Sequence, residues 1–215
     1  MAFQSFNENT DIVENQRTTI SSGLWTGGSS TLTSFFTQPS NGNITGSFLE
    51  LYNEDPNVSS SAEVQFAVGY ANIHGSGSTG NTTKLTTGGR QTAAIYRQFR
   101  NLILAPNTDE FTFTSAPSSS DDFYFVSFQR ARQREKIDPG NWELQLTGQM
   151  SGKAAKIQLI DDSGATTNPT VNEGGRVFNV VSGSIADGIN TTAANQPGGA
   201  LGLFYPDLGV ILLDA

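Results

Sequence analysis

The chain has 215 residues, of which 36% are hydrophobic and 15% charged, with no cysteine and one histidine. The lack of cysteine excludes disulfides and thiolate-ligated zinc or iron–sulfur sites. The net charge of −8 disfavours nucleic acid as a main ligand, because lysines and arginines carry phosphate affinity.

The length suits one domain, and we expect a single structural domain over 1–215 with an extended N-terminal arm at 1–30. The 23 glycines and the frequent Ser, Thr and Asn residues indicate strands joined by polar turns. The start of the chain lacks the pattern of a signal peptide, and no apolar stretch approaches the roughly 20 residues of a membrane span. We therefore expect a soluble compartment and no membrane contact.

Acidic and basic residues are unevenly distributed along the chain. Residues 1–63 carry seven acids and one base, Arg17, whereas residues 84–136 carry eight of the 12 bases. This distribution suits head-to-tail or self-complementary contacts between subunits, and pairing within one chain explains it equally well.

The clearest strand lies at 63–70. One of its faces carries four apolar residues, Val64, Phe66, Val68 and Tyr70. Apolar residues at every second position predict a half-buried antiparallel strand.

A different period follows at about 91–104. Apolar residues recur there at helical spacing, at Ala94, Ile95, Phe99, Leu102 and Ile103. The pattern predicts one amphipathic helix that ends near Pro106, because the residue before proline avoids the helical region.

Later segments alternate again. Strands are predicted at 48–52, 111–113, 123–128, 142–146, 157–159, 177–180 and twice within 201–213. The sequence thus predicts a mainly β fold, an antiparallel sheet or sandwich, with one amphipathic helix at about 91–104.

A glycine-rich loop at 75–80 matches the G-x-G-x-x-G pattern of dinucleotide sites. That site needs a helix that begins at the glycines and an acid about 20 residues later. Neither follows here, and Asn81 replaces the lysine of a phosphate loop. We predict no cofactor and interpret the segment as a flexible or partner-clasping loop.

Acidic residues occur in three adjacent pairs, Asp109-Glu110, Asp121-Asp122 and Asp161-Asp162. Paired carboxylates can hydrolyse glycosides, but adjacent acids in polar turns point in different directions and favour surface solvation. His74 is expected to be a solvated turn residue. No catalytic or metal site is predicted, and the chain is not expected to be an enzyme.

A basic run occupies 130–136. If it continues the preceding strand, four charges share one face, Arg130, Arg132, Arg134 and Lys136. Such a face either resists aggregation at a solvated edge or contacts another subunit. We predict a protein–protein interface at these four residues and no nucleic-acid site.

Several segments carry a resemblance that spans nearly the whole chain, at 3–6, 9–13, 32–37, 64–70, 75–78, 95–104, 130–136 and 202–213. Together they resemble virion structural proteins of contractile-tailed phages that infect cyanobacteria. The resemblance implies a tail or baseplate subunit, made in the host cytoplasm and located in the virion. Its implied partners are other virion proteins and copies of itself, with no small-molecule ligand.

Three alternatives stay open at this point. The chain could be a neck, collar or fibre-attachment protein of the virion. It could instead be a carbohydrate-binding module that stacks sugars on Trp25 or Trp142. A wall-degrading glycosidase would need two facing carboxylates, which the sequence alone does not pair.

Overall fold

The computed structural model describes residues 36–37, 48–78, 90–113, 119–133, 135–150, 153–165, 170–190 and 200–215. These residues belong to one compact unit, Thr33–Ala215. The N-terminal arm predicted at 1–30, Trp25 and Arg134 lie outside the described residues.

The described residues form strands, one α-helix and one 3₁₀ turn. In chain order they are β1 (Phe36–Thr37), β2 (Phe48–Tyr52), β3 (Val64–Asn72), α1 (Gln91–Ile103), β4 (Phe111–Thr112), β5 (Ser119–Ser120), β6 (Asp122–Phe128), the 3₁₀ turn (Arg130–Arg132), β7 (Leu144–Met150), β8 (Lys153–Asp161), β9 (Thr170–Asn172), β10 (Gly175–Ser184), β11 (Gly188–Ile189), β12 (Gly202–Tyr205) and β13 (Val210–Asp214).

One curled sheet holds most of the strands, in the order β1-β2-β3-β6-β13-β12-β10-β8-β7. Neighbouring strands are antiparallel, as in β3 with β6 and β6 with β13. The short strands β9 and β11 pair with β10, and β4 pairs with β5. The prediction of a mainly antiparallel β fold with one helix is confirmed.

Both faces of the sheet are apolar. Along β6, Phe123 and Phe125 point to the face that carries α1, and Val126 and Phe128 point to the opposite face. The first face holds the helix-side cluster, which consists of Ala71, Tyr96, Ile103, Phe111, Phe113, Phe123, Phe125, Val177, Tyr205, Val210 and Leu212. The second holds the far-side cluster, which consists of Phe66, Val126, Leu159, Phe178, Val180, Phe204 and Ile211.

Strand β3 is antiparallel as predicted, but the prediction that only one of its faces is buried is wrong. Phe66 lies in the far-side cluster, while Gln65 on the opposite face is only 1% exposed and Ala71 is fully buried. Helix α1 packs against β3. The helix covers the side that the alternation assigned to solvent, since small residues such as Ala71 allow close approach.

Helix α1 confirms the prediction for 91–104, although its buried stripe is rotated. Thr92, Tyr96 and Ile103 are buried, Phe99 is half-buried, and Leu102 is 48% exposed. The spacing of 92, 96, 99 and 103 is helical. The predicted stripe omitted Thr92 and Tyr96, which carry hydroxyls. The Thr92 hydroxyl donates to the Ser76 carbonyl and the Tyr96 hydroxyl to the Ser120 carbonyl, which permits their burial.

Candidate functional site

The predicted basic face does not exist as one face of an extended strand. Strand β6 ends at Phe128, and the chain then forms a 3₁₀ turn over Arg130–Arg132. The amide of Arg132 donates to the carbonyl of Gln129 at 2.8 Å. The period-2 prediction is therefore wrong here, because in a 3₁₀ turn side chains three residues apart eclipse.

The three described bases of this segment have separate surroundings. Arg132 forms an ion pair with Glu63 at 2.7 Å, whereas Arg130 is exposed and donates from Nη1 to the carbonyl of Glu135 at 3.0 Å. Lys136 is half-buried. At Arg132 and Glu63, the basic middle of the chain pairs with its acidic first part within one molecule. The interface role of Arg130, Arg132, Arg134 and Lys136 stays a prediction.

Asp207 lies in a cationic environment of its own. Arg176 binds it through two hydrogen bonds, Nη2 to Oδ1 at 2.7 Å and Nε to Oδ2 at 3.2 Å. The hydrogen bonding to Arg176 lowers the pKa of Asp207, and the charge of Lys136 contributes to the shift. This forked pair fixes the turn between β12 and β13 against the start of β10.

Partly exposed apolar side chains form a row across four strands on the far side of the sheet. Tyr70 pairs in register with Tyr124, and Tyr124 pairs with Leu213. The two tyrosine rings lie 5.3 Å apart between centroids. Leu49 stands diagonal to Tyr70, opposite Val68. We call Leu49, Tyr70, Tyr124 and Leu213 the tyrosine row.

The row is accessible from outside. Tyr124 is 49% exposed and Leu49 is 38% exposed, and Tyr70 and Leu213 are half-buried. Contiguous exposed apolar groups with aromatic members are typical of protein contact sites.

A hydrogen bond fixes Tyr70, one member of the tyrosine row. The Tyr70 hydroxyl donates to Asp122 Oδ2 at 2.5 Å. Burial, followed by the hydrogen bond to Asp122, raises the pKa of Tyr70. The ring is thus anchored at its polar end and at its neighbour Tyr124.

Surface solvation is the wrong interpretation of the pair at 161–162. Asp161 is 3% exposed and accepts from the amides of Gly140 at 2.8 Å and Ser163 at 3.0 Å. Asp162 accepts from the Asn179 amide at 2.9 Å. Carboxylates at turns can satisfy several backbone donors at once, and adjacency in sequence did not reveal those donors.

The other acidic pairs differ. Asp109 is exposed and pairs with Arg100 at 2.8 Å. Asp121 and His74 lie 3.4 Å apart, and their side chains are 58% and 72% exposed. His74 is a solvated turn residue, as predicted.

The described part of the glycine-rich loop, 75–78, is fixed against the start of α1. The Ser78 hydroxyl accepts from the Thr92 amide at 3.2 Å, and the Thr92 hydroxyl donates to the Ser76 carbonyl at 2.7 Å. Gly75 has a φ of +83°, and a Cβ there would lie 2.2 Å from Arg90 Cδ. The glycine is needed for the turn and for close packing.

Two clefts lined by described residues are open to solvent. One, of about 370 Å³, is lined by Gly140, Ile160, Asp161, Ser184 and Ile185 among others. The other, of about 290 Å³, is lined by Glu110, Asn172 and Tyr205 among others. Among the described residues, Asp161 is the one acid that lines the first cleft and Glu110 the one that lines the second, so the described lining of neither contains the two facing carboxylates that a glycosidase uses.

Trp142 is a packing residue. Its ring lies 5.1 Å from that of Phe204, and it packs against the far-side cluster. Trp142 is thus half-buried and is not the fully exposed aromatic that the carbohydrate-binding alternative assumes.

Within the described ranges, no group of three or more His, Asp or Glu side chains is placed to hold a metal ion. In the same ranges, no helix has the length and apolarity to cross a bilayer. Comparisons with protein-family models, with curated proteins and with solved structures found no match.

Proposed function

We propose that this chain is a non-enzymatic structural subunit of a phage tail, associated with the baseplate, that acts through protein–protein assembly. Two things support the proposal: the resemblance of its segments to virion proteins, and the tyrosine row. The row is the observation that carries it.

A surface like the tyrosine row suits a partner protein. Tyrosine is enriched at interfaces because it offers large contact area for the loss of only two side-chain torsions. Tyr124 contributes a half-exposed ring, which a partner can bury. Burial of apolar area is the main favourable term in such an association.

The row is also held rigid before any partner binds. It lies across four paired strands, and Tyr70 is fixed through Asp122. Little conformational freedom is then lost on binding, which favours association. A rigid block with a preformed contact face suits a part that transmits mechanical load.

Arg130 offers a second contact of different chemistry. It is exposed, and among the described residues its guanidinium hydrogen-bonds only the backbone carbonyl of Glu135. An acidic group on a neighbouring subunit can pair with it, since the planar guanidinium matches a carboxylate.

Incorporation of variants into particles tests the proposal. Tyr124→Ser removes the exposed ring of the row, and Val171→Ser is the matched control, because Val171 is 69% exposed on β9. Each variant is supplied to a phage that lacks the wild-type gene, and the chain is quantified in purified particles by mass spectrometry.

We expect wild type and Val171→Ser to be incorporated alike. Tyr124→Ser and a further variant, Arg130→Glu, should both be depleted from the particles. Absence of the wild-type chain from purified particles would overturn the proposal. Equal incorporation of Tyr124→Ser and wild type would mean that the tyrosine row does not support the proposal.

The alternatives predict other results. A neck, collar or fibre-attachment protein would separate with the neck or the fibres when particles are dissociated. A carbohydrate-binding module would use the exposed ring of Tyr124 for stacking. Binding of the purified chain to a glycan array that Tyr124→Ser abolishes would favour that module.

A further inference from the structure

Strand β7 forms one end of the main sheet. It has seven residues and pairs on one side with β8, from Leu144 opposite Leu159 to Met150 opposite Lys153, without a register shift. No other strand of the described chain pairs with it. Every second residue of an edge strand directs its N–H and C=O outward, where they can pair with another strand.

The edge lacks the usual protection against pairing. Natural edge strands carry Lys, Pro or bulges that block a second strand. The sequence of β7, LQLTGQM, has no charged residue and no proline. Gln145, Leu146 and Thr147 are exposed, and Leu146 is 41% exposed.

The pattern of β7 is self-complementary. Opposite residues of an antiparallel pair lie on the same face of the sheet. If two copies meet with Thr147 opposite Thr147, then Leu144 stands opposite Met150, and Gln145 opposite Gln149. Leu146 then stands opposite Gly148, and no like charges are opposed at any position.

We propose that β7 pairs antiparallel with β7 of a second copy of this chain, about a two-fold axis at Thr147. The inference deepens the proposed function by naming one partner of the subunit. An axis perpendicular to the sheet carries each face onto the same face, so the axis must lie midway between the two copies of one residue, which then stand opposite each other. Thr147 is the central residue of β7, and centring there pairs all seven residues.

Salt should strengthen this contact. Each copy carries a net charge of −8, so two copies repel each other at long range, and salt screens the repulsion. The neutral edge itself has no ion pairs for salt to weaken.

Self-association of the purified full chain, measured by sedimentation equilibrium, tests the axis. Thr147→Lys and Thr147→Glu each place like charges opposite one another and should weaken the dimer about fivefold. An equimolar mixture of the two variants should recover the wild-type affinity, because the opposed charges then attract. Thr112→Lys on β4 is the control and should behave as wild type, with circular dichroism confirming the fold of each variant.

Cross-linking gives a second measurement. The chain has no cysteine, so Thr147→Cys introduces a single thiol. Opposed strand residues have Cα atoms about 4.5 to 5.5 Å apart, within the range of a disulfide. Oxidation should link Thr147→Cys into dimers and leave Thr112→Cys monomeric.

A monomeric wild type at all accessible concentrations would overturn this inference, as would a mixture of the two charged variants that associates no better than either alone. Such results leave the proposed function intact if the chain is still found in particles. Conversely, a dimer centred on Thr147 in a protein that is absent from particles would leave the inference standing and remove the proposed function.

Discussion

The guanidinium of Arg132 lies 2.7 Å from the carboxylate of Glu63 and joins the 3₁₀ turn after β6 to the residue before β3. Arg132→Glu would oppose two carboxylates there. We expect it to lower the free energy of unfolding by about 1 kcal/mol, the loss of a partly exposed pair together with a like-charge contact.

Arg130→Glu is the matched control, because it changes the net charge equally but breaks no ion pair among the described residues. Urea denaturation should show near-wild-type stability for this control. Equal destabilisation of both variants would mean that the overall charge, and not the Arg132–Glu63 pair, sets the effect.

Helix α1 is fixed to the sheet through Phe99, whose ring lies 5.2 Å from that of Phe125 and 5.7 Å from that of Phe123. Phe99→Ala should lower stability by about 3 kcal/mol, as for other large aromatic deletions. Leu102→Ala, at a 48% exposed site, should change it by less than about 0.5 kcal/mol. Thermal melting compares the two, and similar shifts would contradict the assignment of Phe99 to the sheet side of α1 and of Leu102 to the solvent side.

The sequence predicted the elements better than their surroundings. Alternation at 63–70 and the helical spacing at 91–104 identified β3 and α1, because these patterns follow from local geometry. Burial of Gln65 and exposure of Leu102 depend on which elements pack together. The periodicity of apolar residues within one segment does not show which other element packs against it. The same limit explains the 3₁₀ turn at Arg130 and the buried carboxylate of Asp161.

Asp161 organises the turns around the end of β8. Its carboxylate accepts hydrogen bonds from the backbone N–H groups of Gly140 and Ser163. Asp161→Asn replaces one of the accepting oxygens with an N–H₂ donor, which then faces a backbone donor. We expect a loss of about 1 to 3 kcal/mol, the cost of buried unpaired donors. Asp121→Asn, at an exposed site, should be nearly neutral in the same urea titration. If both are neutral, the acceptor role of Asp161 is wrong.

Ionisation of Tyr205 should make the free energy of unfolding depend on pH in the alkaline range. Tyr205 is fully buried, and burial raises its pKa to about 12. In the unfolded chain the hydroxyl ionises near pH 10, so the native state retains a proton that the unfolded state releases. The contribution of Tyr205 to the free energy of unfolding should therefore be fully present below pH 10 and be lost as the pH rises towards 12.

At pH 11.5 this loss should reach about 2 kcal/mol, from about 1.4 kcal/mol for each unit of pKa shift. Urea denaturation at pH 9 and pH 11.5 measures it. Tyr205→Phe, which cannot ionise, should lose less over the same interval. An equal loss in the variant would assign the dependence to other groups.

A density map of the intact particle, with side chains resolved, tests the structural role most directly. We expect several copies of this sheet in the tail at the baseplate, with Tyr124 buried against a neighbouring subunit. A complete tail and baseplate map in which every density belongs to other chains would contradict it.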